Sequence, residues 1–151
     1  MPIFNVAMQG QQGQTPQAVL HVTGPVLPIQ VAVPTALEDQ MKKNGEKIPE
    51  PISGQALVDT GATFSAIDEG IADKLGVKPI GLAPSGTAGG EVMLNIYAAR
   101  FILPLNIQVG FSRATGVRLA GQQYIALIGR DVLSQMILVY NGPAGLISLA
   151  L

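Results

Sequence analysis

The sequence predicts an all-β protein with one or two short helices, on three observations. Short runs rich in Val, Ile and Leu recur along the chain, separated by Gly, Pro and Asn at intervals of roughly ten residues. The run Asn95–Leu103 (NIYAARFIL) alternates better than it fits a helical stripe, with Ile96, Phe101 and Leu103 apolar and a charge at Arg100. Asn141-Gly142-Pro143-Ala144-Gly145 lies between two apolar runs and reads as a hairpin turn.

In chain order, the candidate strands are Ala18–Val22, Val26–Val33, Gln55–Asp59, Val92–Leu103, Leu105–Val109, Tyr124–Ile128, Ile137–Tyr140 and Leu146–Leu149. Two segments read as helical. Ser65 stands as an N-cap with Asp68 three residues on, Ile67, Ile71 and Leu75 share one face, and Gly76 ends the run. A short helical turn is expected over Asp131–Gln135, with Asp131 at its N-cap. Glu38–Pro51 (EDQMKKNGEKIPEP) concentrates charge, Gly and Pro, and reads as an exposed loop. Residues 1–51 are thus expected to hold N-terminal strands and this loop, and residues 52–151 a catalytic core, within one domain.

Composition narrows the function. The chain is 48% hydrophobic and 13% charged, which leaves apolar surface that a subunit interface would cover. A net charge of −1 gives no electrostatic reason to bind nucleic acid or an acidic membrane face. The absence of Cys excludes disulfides, thiol nucleophiles and Cys-ligated zinc. With one His and no Cys, metal-site spacing is absent, so neither a metal nor another cofactor is expected. MPIFNVAMQGQQGQ lacks a basic region followed by a long apolar run, and no stretch of about 18 apolar residues occurs, so a cytoplasmic location without membrane contact is expected.

One segment carries chemistry. In Ala56-Leu57-Val58-Asp59-Thr60-Gly61-Ala62, an apolar strand delivers an acid into a turn of small residues. The chemistry needs Asp59 at a strand end, where its carboxylate can meet another. Thr60 can hydrogen-bond across the junction, Gly61 lets backbone N–H groups approach the carboxylate, and Ala62 keeps the neighbourhood small. Asp-Thr-Gly alone is also an ordinary turn, so the second signature matters. Ile125-Ala126-Leu127-Ile128-Gly129-Arg130-Asp131-Val132-Leu133 is an apolar strand that ends in Gly and runs into a short helix.

Together, ALVDTGA and IALIGRDVL resemble the retropepsin-like (retroviral-type) aspartic peptidases, over about Gln55–Leu149. The resemblance implies a closed, barrel-like acid-protease fold that is active as a homodimer. It makes Asp59 the catalytic acid, Thr60 the residue that bonds across the dimer, and Gly61 a backbone contact to substrate. Leu127, Ile128, Gly129 and Arg130 match the supporting element. The family's flap falls on Ser85–Glu91, with Gly86, Thr87, Ala88, Gly89 and Gly90 at its centre. The chain departs from the viral pattern at Thr63, where viral members carry an Asp that pairs with the later Arg; Arg130 therefore needs another partner.

A single Asp-Thr-Gly and no internal repeat exclude a two-lobed enzyme and point to two chains. Two carboxylates held roughly 3 Å apart share one proton, so one activates water while the other protonates the scissile carbonyl oxygen. The expected activity is an aspartic endopeptidase acting on extended peptide or protein substrates, with itself as partner. The alternative is a dimerisation or peptide-binding module of the same fold with little activity. The remaining candidates are bland: His21 as a strand or surface residue, Ser65 and Ser134 without a base, and Asp68 and Asp73 as solvated helix positions.

Overall fold

A computed structural model describes residues 2–10 and 12–151, the side chain of Thr87 excepted. Among the described residues, ten strands and four helices follow one another as β1 Ile3–Ala7, α1 Pro16–Thr23, β2 Val26–Ala32, α2 Thr35–Asn44, β3 Ile52–Val58, β4 Ala66–Asp68, α3 Glu69–Lys74, β5 Gly81–Thr87, β6 Gly90–Leu103, β7 Ile107–Val117, β8 Ala126–Ile128, α4 Arg130–Leu133, β9 Ile137–Asn141 and β10 Leu146–Ala150. A tight turn, Pro104–Asn106, links β6 to β7. The fold is mainly β, as expected, and no helix among the described residues is long and apolar enough to cross a membrane.

The larger sheet closes on itself. Its order is β2-β3-β8-β4-β7-β6, and β2 also pairs with β6 through Gln30↔Ile102, Val31↔Phe101 and Ala32↔Arg100. β5 hangs from β6 outside this circuit. A second sheet, β1-β10-β9, brings the two ends of the chain together. Alternation along β6 puts Ala99, Phe101 and Leu103 inside, and the bulge between Tyr97 and Ala99 resets which face points inward. Leu27, Val31, Phe101, Ile128 and Ile147 are at most 1% exposed, and one core runs from Met8 to Leu149 across both sheets.

Several segments differ from expectation, each for a physical reason. Ala18–Val22 is helical, not a strand: Thr15 Oγ1 accepts from the Ala18 N–H, Pro16 opens the helix, and Gly24 (φ 75°) closes it. Those local signals outweigh the β-branched residues between them. Residues 38–44 belong to α2, which ends on Gly45 at φ 68° and carries the Glu38–Lys42 pair one turn apart. α2 has no fully buried residue, and Glu38 fastens it to the barrel through Arg100. Residues 1–51 therefore contain two helices as well as strands. Leu105 and Asn106 are not in the strand expected from residue 105; both take positive φ, and β7 starts after them. β1, β5 and the polar second half of β7 were not anticipated, and Ile67, expected on a helix, lies in β4, with α3 starting only at Glu69.

The hairpin turn at residues 141–145 is present. Gly145 stands at φ 59°, and a Cβ there would lie 2.1 Å from the Pro16 carbonyl carbon. Only glycine lets this turn pack against the start of α1.

Candidate active site

β3 and β8 run parallel, with Ala56, Leu57 and Val58 beside Ala126, Leu127 and Ile128. Both strands end at the same level, so Asp59 and Gly129 emerge side by side. The Asp59 N–H extends the ladder by donating to the Ile128 carbonyl at 2.9 Å. The chain then turns within three residues. Asp59 Oδ1 accepts from the backbone N–H groups of Gly61 at 2.9 Å and Ala62 at 3.2 Å, while Oδ2 has no hydrogen-bond partner among the described residues. A Cβ on Gly61 would approach Oδ1 to 3.1 Å, a tight contact that would press on the carboxylate. The carboxylate is half-buried at the end of an apolar strand, fixed by one oxygen and open at the other.

Arg130 finds its partners within the loop it faces. Its Nη1 donates to the carbonyls of Thr60 and Gly61 at 2.9 and 3.0 Å, and Nη2 donates to Thr63 Oγ1 at 2.9 Å. The Arg130 backbone N–H donates to the Ala62 carbonyl at 3.0 Å and that of Asp131 to Thr63 at 3.2 Å. One guanidinium thus gathers three acceptors on a loop that no carboxylate at position 63 holds.

Beneath lies a pair missed in the sequence. Ser65 is fully buried; its N–H and hydroxyl donate to the two oxygens of Asp131 at 2.9 and 2.7 Å, and its Oγ accepts from the Gly129 N–H at 3.0 Å. Ser65 is therefore no helix N-cap, and neither is Asp131, since Gly129 caps α4. A serine three residues beyond the first signature and an aspartate in the second were the available signal, but a separation of 66 positions hid the pairing. Gly129 has no room for a side chain: a Cβ would lie 2.6 Å from the Phe64 carbonyl carbon and 2.9 Å from the Ser65 nitrogen. The exposed Phe64 ring carries the Arg113 guanidinium 4.8 Å from its centroid.

Farther along, Asp68 is not a solvated helix position. It caps α3, its Oδ1 accepting from the Gly70 N–H, and its Oδ2 accepts from the Leu119 N–H at 2.7 Å. Gly86–Gly90 form the end of a hairpin arm in which β5 and β6 pair from Gly81↔Ile96 to Thr87↔Gly90 around Ala88-Gly89. His21 is exposed in the last turn of α1, and Ser134 Oγ donates to the Asp131 carbonyl. Among the described residues, no group of three His, Cys, Asp or Glu side chains is placed to hold a metal ion.

The sequence profile of the aspartyl protease family matches residues 41–141, the span that holds both strand ends and the loop between them. The chain belongs to the aspartyl protease family. No curated protein matches it. The fold of this family member is retropepsin-like: the crystal structure of a retropepsin-like aspartic protease from Rickettsia conorii aligns with 98% of this chain and 91% of its own, with a TM-score of 0.52 at 15% identity. The solution structure of Simian Foamy Virus (mac) protease aligns with 71% of this chain and 91% of its own, with a TM-score of 0.40 at 18% identity.

Proposed function

We propose that this aspartyl protease family member is an endopeptidase that works as a homodimer, with one Asp59 from each chain. The observation that carries the reading is the state of Asp59: one oxygen held by two backbone N–H groups, the other without a partner, at the end of paired strands. Such a carboxylate is oriented but incomplete, and a second copy related by a two-fold axis supplies its counterpart. The two acids share a proton. Water between them loses a proton to the ionised acid and attacks the amide carbon, while the neutral acid protonates the carbonyl oxygen. No covalent enzyme intermediate forms.

On this reading Thr60 bonds across the dimer, and the Gly61 backbone meets the substrate. Leu127, Ile128, Gly129 and Arg130 hold the loop. The arm carrying Gly86–Gly90 acts as the flap over a peptide bound as an added strand. Replacing Asp59 tests the proposal. Asp59→Asn is expected to abolish cleavage of an apolar peptide library while the circular dichroism spectrum and the sedimentation coefficient stay those of the wild type; a variant that cleaves at the wild-type rate removes Asp59 from the chemistry.

A further inference from the structure

At its root the hairpin arm is tied to the barrel by a side-chain bond from Asn95 to Glu69. β6 leaves β7 at Ile96, which pairs with Thr115, and from Asn95 to Gly90 its strand partner is β5. A two-stranded hairpin is marginal by itself, so contacts at the root set where the arm points. On the backbone, the Ile80 N–H donates to the Ile96 carbonyl at 2.7 Å. On the side chains, Asn95 Nδ2 donates to Glu69 Oε1 at 2.7 Å. Glu69 sits in the first turn of α3, and its other oxygen lies 3.5 Å from Nε of Arg118, whose side chain is 90% exposed.

The barrel side of this bond is packed, and the arm side is open. A Cβ on Gly116 would lie 2.6 Å from the Tyr97 ring and 3.1 Å from Glu69 Oε1, so ring and carboxylate close together over the glycine. Tyr97 is buried beside the bulge; burial, then the charges of Glu69 and Asp73, hold its hydroxyl pKa above the ordinary value. Above the bond, Leu82, Val92 and Met93 are exposed. A cavity of about 520 Å³ lined by Glu69, Val92, Met93, Asn95, Gly116 and Arg118 lies against it, leaving the root room to shift.

We propose that the Asn95–Glu69 hydrogen bond is the latch of the arm, and that Glu69 is a positioning residue whose release of Asn95 lets the arm swing at its root to admit peptide. The kinetic part rests on the arm being the flap; the mechanical part does not. A hydrogen bond to a charged carboxylate is worth more than one to a neutral acceptor, which suits a latch that opens and recloses.

Amide exchange on the full chain, read by mass spectrometry alongside peptide kinetics, tests this. Asn95→Ala is expected to speed exchange over residues 82–94 about tenfold while β3 and β8 keep wild-type rates. It should raise KM about as much and leave kcat within about twofold. Glu69→Gln, whose amide oxygen can still accept from Asn95, should fall between Asn95→Ala and the wild type. Arm exchange unchanged in Asn95→Ala, or faster by the same factor in β3 and β8, overturns the latch. A wild-type chain that cleaves no peptide sinks the flap reading instead, and the exchange comparison still decides the latch.

Discussion

The Asp59 loop and the hairpin arm are both turns between strands, and they are held in opposite ways. From Asp59 to Ser65 the loop is bonded to elements distant in sequence: to the Ile128 carbonyl, to the backbone and guanidinium of Arg130, and to the Asp131 carboxylate. The arm relies on its own ladder and on contacts at its root. Burial separates them only at the base of the loop: Ser65 is fully buried, although Thr60, Gly61, Thr63 and Phe64 are exposed, as Leu82 and Met93 are in the arm. On the proposed reading, a carboxylate that meets its twin has to be fixed closely, whereas a cover over an extended peptide has to move. The molecule spends its long-range bonds where the proposed chemistry needs position.

Adding the same methyl group to each region should show the contrast at its largest. Gly129→Ala drives a Cβ into backbone that cannot rotate away and should cost about 3 kcal/mol or more. Gly86→Ala meets nothing within 4 Å and should stay within about 0.5 kcal/mol of wild type. Urea denaturation measures both, and equal midpoints would erase the distinction. Ser65→Ala comes next: it strips a partner from the Asp131 carboxylate and the Gly129 N–H, at about 1–3 kcal/mol in the same titration.

Smaller effects sharpen how the loop is held. Thr63→Asp places a carboxylate where Arg130 now has a hydroxyl, and it should stabilise the exposed pair by no more than about 1 kcal/mol. The gain should fade at high salt; a salt-independent change would mean that the new acid pairs elsewhere. The smallest effect belongs to α2. Bonds from Lys42 and then Arg100 hold the Glu38 pKa below its ordinary 4.5. The unfolded chain therefore takes up this proton first as pH falls, so the contribution is present above about pH 4.5 and disappears as pH drops through the folded value. Glu38→Gln should flatten the decline of the thermal midpoint below that pH; an identical decline in both proteins would remove Glu38 as its cause.

The local structure around Asp59 and Gly129 was legible in the sequence because its signals are local. An apolar strand, an acid and a small-residue turn occupy seven consecutive residues, and the Leu127–Arg130 signature is equally compact. The arm was visible through its glycines, although β5 was not. What stayed hidden depends on distant partners or on signals of opposite sense. Ser65 and Asp131 each read as local caps, because nothing near either reveals the other. In α1, Ala18–Val22 carries strand-like residues between a Thr-Pro start and a Gly stop, and the ends prevailed. The end of β7, with exposed Ser112 and Arg113, lacks the apolar alternation that would announce a strand. Arg130 needs another partner than a viral-type Asp, and the loop's own carbonyls and the Thr63 hydroxyl, which no local sequence signal marks, supply it.

On the proposed reading two chains each contribute Asp59 to one site, and mixing tests this directly. Wild-type chain equilibrated with increasing Asp59→Asn at constant total concentration should lose peptidase activity as the square of the wild-type fraction. An equal mixture should then keep about one quarter of the wild-type rate, since hybrid dimers lack the second acid. A linear decline, with about one half remaining in the equal mixture, would mean that each chain cleaves peptide alone and would contradict the shared site.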